Sequence, residues 1–200
     1  MKRYTYKELP FKSLQGISDK TNAIHHDKLY AGYVKKKDEI QEKLKSVQLD
    51  TANQTYSELR ALKDAETFAV NGVYLHDVYF DCMGEARTPH GEILKEIEKT
   101  WGSFDNFKVL MKACGMAARG WAVLAWDTFE EGLHIFTGDL HNQGGVWGAL
   151  PILTLDVYEH AYFIDFGSDR AAYIDTWFNN LNWSRIEQRF KIYKKCHGIS

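Results

Sequence analysis

The order of apolar and polar positions predicts that the first half of the chain forms two long helices. Apolar residues recur at roughly helical spacing over residues 20–47, and Ser18 or Asp19 offers an N-cap. A second helical pattern covers residues 54–82. The polar residues 48–53 between the two patterns indicate a turn, so we expect a long antiparallel helical hairpin.

The second half of the chain changes character after Pro89. Two shorter helices are expected first, and they are followed by short apolar or alternating runs that predict three strands. Two more helical patterns end the chain. The predicted helices are residues 90–99, 103–118, 169–180 and 184–193, and the predicted strands are residues 121–126, 133–136 and 152–155.

These elements predict an α+β fold with two domains. The N-terminal domain, residues 1–88, is the helical hairpin. The C-terminal domain, residues 89–200, is a small α/β unit with a three-stranded antiparallel sheet flanked by helices. The glycines and polar residues of the stretch 84–91 mark the expected boundary.

Composition narrows the classes of function. The net charge of −2 argues against a basic nucleic-acid surface, and no apolar run reaches the roughly 18 residues of a membrane span. Cys82, Cys114 and Cys196 are too widely spaced for a zinc or redox motif, so we expect free thiols and a cytoplasmic protein.

Two histidines are singled out by the hairpin itself. His25 and His76 lie at nearly equal distances from the predicted turn. In an antiparallel pair of helices, such residues lie side by side, so the two imidazoles are expected to face each other. The alternative is a pair of core histidines without a ligand.

A carboxylate and a third imidazole follow the last predicted strand. Asp156 ends the apolar run, and His160 comes four residues later, although a surface acidic cluster with Glu159 and Asp165 is the alternative. Three imidazoles and one carboxylate suit iron, manganese or zinc. Such a set supports redox chemistry, hydrolysis by a metal-activated water, or a structural metal clasp in an interaction protein.

At these residues the chain resembles the iron/manganese superoxide dismutase family. Residues 156–162, DVYEHAY, are similar to the family motif DVWEHAYY. Residues 25–28, HHDK, resemble its first-helix motif, and residues 75–80, LHDVYF, resemble its NHxxFW segment. The similarity runs over about residues 20–190, most of the chain.

The resemblance implies one iron or manganese ion per subunit, bound between the two domains, with His26 pointing outward. It implies an antioxidant oxidoreductase that converts superoxide to dioxygen and hydrogen peroxide by alternating reduction and oxidation of the metal. A metal-binding protein of the same fold with weak dismutase activity, or with peroxide or hydrolytic chemistry, is the alternative. The implied metal ligands are His25, His76, Asp156 and His160.

The resemblance also implies residues beside the metal. Tyr33 aligns with a gateway tyrosine that borders the substrate channel. Many members use a glutamine to tune the metal-bound water, from one of two positions. These positions are Gly72 and His141 here, so His141 is the candidate tuning group and Gln143 the fallback.

A homodimer is the last implication. Glu159 aligns with a residue that reaches across the dimer to a metal-binding histidine of the other subunit. Leu29 and Phe163 replace a gateway histidine and the tyrosine that it contacts across the dimer. Because replacing both partners of a polar contact can be nearly neutral, we expect a repacked apolar gateway. Tyr158 and Val123 stand where the family commonly has tryptophan.

Overall fold

The computed structural model describes residues 4–197, and residues 1–3 and 198–200 lie outside the described part. The first long helix has three consecutive segments: α1 (Asp19–Asn22), a π-helical segment (Ala23–Tyr30) and α2 (Ala31–Lys43). The hydroxyl of Ser18 accepts a hydrogen bond from the backbone N–H of Thr21, which confirms the predicted N-cap. The helix ends four residues earlier than predicted.

The second helix of the hairpin, α3 (Glu58–Asp81), packs against α2. It begins later than the predicted residue 54 because Asn53 holds the preceding backbone in a turn. The Asn53 side-chain oxygen accepts from the N–H groups of Thr55 and Tyr56, at 2.8 and 3.3 Å. Ser57 then caps the helix by accepting from the N–H of Arg60.

The C-terminal half carries the predicted sheet. The three strands are β1 (Trp121–Asp127), β2 (Gly132–Gly138) and β3 (Ala149–Asp156). They are antiparallel in the order β2-β1-β3, which confirms the α+β prediction. The four predicted helices of this half are observed as α4 (Gly91–Trp101), α5 (Phe104–Ala117), α7 (Arg170–Asn179) and α8 (Trp183–His197).

Two short helices lie between β3 and α7, where no helix was predicted. They are a 3₁₀ turn (Glu159–Ala161) and α6 (Phe163–Phe166), and both are too short to produce a periodic pattern. Within residues 4–197, no helix is long and apolar enough to cross a membrane.

The apolar core links both halves of the chain. Strand β3 lies against α3 of the hairpin on one side, and α5 approaches it closely on the other. A Cβ atom at Gly115 of α5 would lie 2.6 Å from Cδ2 of Leu155, so a larger residue here would have to displace the Leu155 side chain. The packing brings the end of β3 close to the open end of the helical hairpin, away from its turn.

Candidate metal centre

Four side chains from distant parts of the sequence converge where the hairpin meets the end of β3. Their ligand atoms all lie within 4.8 Å of one another, and three of the four residues are buried. The four are His25, His76, Asp156 and His160. The structure therefore brings together every residue that the sequence suggested as a ligand.

The two hairpin histidines face each other, as the turn position predicted. His25 lies in the π-helical segment and His76 in α3, with ring centroids 5.0 Å apart. The Nδ1–H of His76 donates to the carbonyl oxygen of Gly72 at 2.6 Å. Its Nε2 is buried and has no hydrogen-bond partner within the described residues. The ring is thus held with a lone pair facing the cluster.

The carboxylate is oriented by its own strand end. Oδ1 of Asp156 accepts from the backbone N–H of Tyr158 at 2.9 Å, which leaves Oδ2 for the cluster. Oδ2 lies 3.1 Å from Nε2 of His25, 3.3 Å from Nε2 of His160 and 3.5 Å from Nε2 of His76. The single oxygen therefore faces all three imidazoles.

Burial and charge favour the metal-binding protonation states of His25, His76 and Asp156. Burial lowers the pKa of His25 and lowers that of His76 well below its usual value, so both rings are neutral. Burial alone would raise the pKa of Asp156, but His160 and His25 outweigh it and hold that pKa far below normal. Neutral imidazoles and an ionised carboxylate are the forms that bind a metal ion. At His160, burial lowers the pKa but the charge of Asp156 outweighs it, so the pKa is raised and a metal ion must displace the proton.

The donor set fits an iron or manganese ion. Three imidazole nitrogens and one carboxylate oxygen converge on one point, and nitrogen and oxygen donors suit these metals. A buried acceptor without a partner, such as Nε2 of His76, costs about 1–3 kcal/mol. A cation bound among the four atoms would satisfy that nitrogen and offset this cost.

His141 lies beside the cluster, as expected of a tuning group. Its ring centroid is 5.6 Å from that of His76, and its Nδ1 accepts from the indole N–H of Trp121 at 2.9 Å. Burial lowers the pKa of His141 to about 4, so the neutral ring carries its proton on Nε2. Gln143, the fallback, is exposed.

Tyr33 lies next to His141 and occupies the space beside Gly72. The rings of Tyr33 and His141 meet edge to face, with centroids 4.8 Å apart. A Cβ atom at Gly72 would lie 2.9 Å from Cδ1 of Tyr33. A side chain at this position would therefore have to displace the tyrosine ring.

The expected outward position of His26 is wrong. Its side chain is only 2% exposed, because the N-terminal segment crosses over it. The Tyr6 hydroxyl lies 2.8 Å from Nδ1 of His26, and the backbone oxygen of Lys7 lies 2.9 Å from Nε2. His26 points away from the cluster but is buried beneath these residues.

The residues expected at a dimer contact lie on the surface near His160. Glu159 is exposed, and the side chain of Phe163 is 54% exposed, with Ile164 beside it at 44%. Leu29 is half-buried and lines a groove between α2 and α3 that also reaches Tyr33.

Two residues beside the site were assigned no role from the sequence. Trp121 orients His141, and the hydroxyl of Tyr173 donates to the backbone oxygen of Asp156 at 2.7 Å. Both residues lie in patterns typical of core packing, Trp121 on a strand and Tyr173 on a helix. Their polar roles depend on tertiary contacts that no spacing in the chain indicates.

Comparison with known proteins agrees with this geometry. The model of the iron/manganese superoxide dismutase alpha-hairpin domain matches residues 3–84, and that of the C-terminal domain matches residues 89–189. The chain is 40% identical to the iron superoxide dismutase of Aquifex pyrophilus over 191 residues, covering 93% of this chain and 90% of the relative.

Relatives named for manganese match as well. The chain is 33% identical to manganese superoxide dismutase 1 of Halobacterium salinarum, over 88% of this chain and 87% of the relative. It is 32% identical to the manganese/iron superoxide dismutase of Aeropyrum pernix, over 95% of this chain and 92% of the relative. With both domain models matched and relatives similar over nearly their whole length, the chain belongs to the iron/manganese superoxide dismutase family.

Proposed function

We propose that this chain disproportionates superoxide to dioxygen and hydrogen peroxide at one iron or manganese ion per subunit, held by His25, His76, Asp156 and His160. The observation that carries the proposal is the convergence of three imidazole nitrogens and one carboxylate oxygen in a family member. The bound ion supplies one-electron chemistry that side chains cannot perform. The alternatives of weak activity, peroxide chemistry or hydrolysis are not favoured by the names of the relatives.

The protein supplies orientation and exclusion of bulk water. Gly72 and Tyr158 use backbone groups to orient His76 and Asp156, so two of the four ligands are held before any ion binds. His76 and Asp156 are fully buried, while His160 keeps 26% of its side chain exposed. Of the four proposed ligands, His160 is thus the most accessible in a single subunit.

His141 and Tyr33 are proposed to act next to the ligands. Because Nδ1 of His141 accepts from Trp121, the neutral ring presents Nε2–H as a donor, and no described residue accepts from it. Such a donor can hydrogen-bond a small polar molecule at the metal and tune its proton affinity. Tyr33 packs against this ring and also lines the groove between α2 and α3.

The homodimer is also part of the proposal. The exposed apolar side chains of Phe163 and Ile164 form a patch beside Glu159 and His160, and such patches are typical of contact surfaces. Across the dimer, Phe163 is proposed to pack near Leu29 of the other subunit, and Glu159 to reach its metal site. In this arrangement, Phe163 and Leu29 would give the entrance to the metal site an apolar lining.

A charged residue in this patch should separate the subunits. We expect Phe163→Glu to raise the dimer dissociation constant by at least about tenfold, because it places a carboxylate in a contact that excludes water. Sedimentation equilibrium measures the change. Val109→Glu, at a 69% exposed position on α5, is the matched control and should leave the association unchanged. Equal association of wild type and Phe163→Glu would exclude this contact surface.

We further propose the division into domains 1–88 and 89–200, with the metal bound between them, and an antioxidant role in the cytoplasm. His25 and His76 come from the first part and Asp156 and His160 from the second, and the two family models meet between residues 84 and 89. The cysteines Cys82, Cys114 and Cys196 are free thiols, which suits a reducing compartment.

The function is tested by metal loading. We expect protein produced in iron-replete and in manganese-replete medium to bind the supplied ion, with dismutase activity proportional to bound metal in at least one preparation. Elemental analysis and a superoxide assay on the same samples measure both quantities. A fully loaded protein without dismutase activity, whichever ion it holds, would contradict the proposal. Peroxidase and esterase assays on that sample would then examine the alternatives.

A further inference from the structure

A cavity of about 410 Å³ lies between α3, the sheet and α8, outside the metal cluster. None of the four proposed ligands lines it. It exists because residues that alternate along β1 share one face of the sheet, and two of them, Val123 and Ala125, have small side chains. These short side chains leave the space between α3 and this part of the sheet unfilled.

The walls favour an aromatic occupant. Four aromatic side chains line the cavity together with aliphatic ones, and aromatic rings prefer to pack on one another in offset or edge-to-face geometry. The four are Tyr74, Trp121, Phe136 and Tyr193. The volume lies within the range of about 300–1,000 Å³ that is usual for small-molecule sites.

The charges around the cavity favour an uncharged occupant. Two charged residues line it, and each has its own ionic partner. Asp77 accepts from Lys7 at 2.5 Å, and Arg189 is paired with Asp81. A charged ligand would have to lose water without gaining an unpaired counter-ion, which is costly. The amides of Asn71 and Gln143 still offer hydrogen bonds to a neutral ligand.

The entrance is apolar and open to solvent. Tyr74 is 49% exposed, Val146 42% and Leu140 39%, and all three line the cavity. Exposed apolar side chains that continue into a cavity are typical of a ligand-binding surface. An aromatic molecule can thus enter without any rearrangement of the sheet.

We propose that this cavity binds an uncharged aromatic molecule of one or two rings. The bound ring would contact Trp121 and His141, which both line the cavity and are joined by a hydrogen bond from the indole N–H to Nδ1. A bound ligand would therefore change the surroundings of His141, which lies beside the metal cluster, without contacting any of the four cluster residues.

Titration of the metal-loaded protein with prodan, an uncharged naphthalene dye, tests the proposal. We expect saturable binding with a blue shift of the dye emission. Val123→Trp should weaken the affinity at least about tenfold, because the indole fills the volume that the dye needs. Ala125→Phe fills the same cavity and replaces Val123→Trp if that variant does not fold, as judged by circular dichroism and metal content.

Two controls make the result decisive. Val109→Trp adds a tryptophan at an exposed position of α5 and should leave prodan binding unchanged. A naphthalene sulfonate of the same size should bind at least about tenfold more weakly than prodan, because it brings an unpaired charge. Unchanged prodan binding by both cavity-filling variants would overturn the proposal. So would equal binding of the sulfonate, or an altered oligomeric state of Val123→Trp, which would identify the cavity as a protein contact.

Discussion

His76→Ala is expected to abolish stoichiometric binding of iron and manganese. The substitution removes a fully buried ligand nitrogen and leaves Oδ2 of Asp156 with two imidazoles instead of three. Water cannot take the place of the missing imidazole without cost, because the space is surrounded by the aromatic rings of Tyr33, Trp121 and Phe80. Elemental analysis of the purified variant measures the effect, and dismutase activity should disappear with the metal.

His26→Ala is the matched control for this prediction. His26 is also buried and lies one position from a proposed ligand, but its ring contacts Tyr6 and the backbone of Lys7 rather than the cluster. We expect its metal content to equal that of the wild type, even if the N-terminal segment is loosened. Normal iron or manganese content in His76→Ala would refute the ligand assignment.

His141→Ala is expected to keep the metal and lose most of the activity. The proposed ligands remain intact, but the donor Nε2–H and the partner of the Trp121 indole are removed. Loss of such an outer contact typically costs about 10–100-fold in activity or metal affinity. Activity per bound metal, measured across pH, separates this effect from a simple loss of metal.

Gln143→Ala provides the comparison for His141→Ala. Gln143 lies two residues away in the same hairpin, but its side chain is exposed. Its removal should leave activity and its pH dependence unchanged. His141→Gln should recover part of the rate, since an amide N–H can donate in place of Nε2–H. A His141→Ala enzyme with unchanged activity and pH profile would return His141 to an ordinary packing role.

Much of the metal cluster could be predicted, because its ligands come in two pairs and each pair is set by the geometry of one regular element. The position of the hairpin turn pairs His25 with His76, and the four-residue spacing at the end of β3 joins Asp156 to His160. Both arguments use only the geometry of one hairpin or one strand end. The α+β fold and its three strands follow in the same way from hydrophobic periodicity.

The contacts around the cluster could not be predicted from the hydrophobic periodicity of the sequence. The burial of His26 depends on Tyr6, twenty positions away, whose segment has no repeating pattern. The hydrogen bond between Trp121 and His141 depends on how the hairpin after β2 folds back on β1. The π-helical segment is only eight residues long, so its i→i+5 hydrogen bonding could not be recognised from the apolar positions alone.

The wide separation of the cluster residues along the chain affects the order of folding. The contact between His25 and Asp156 joins positions 131 residues apart, so it forms only after the hairpin and the sheet have met. An ion bound there acts as a late, reversible cross-link. Its binding free energy opposes separation of the two halves of the chain and contributes nothing to the stability of either half alone.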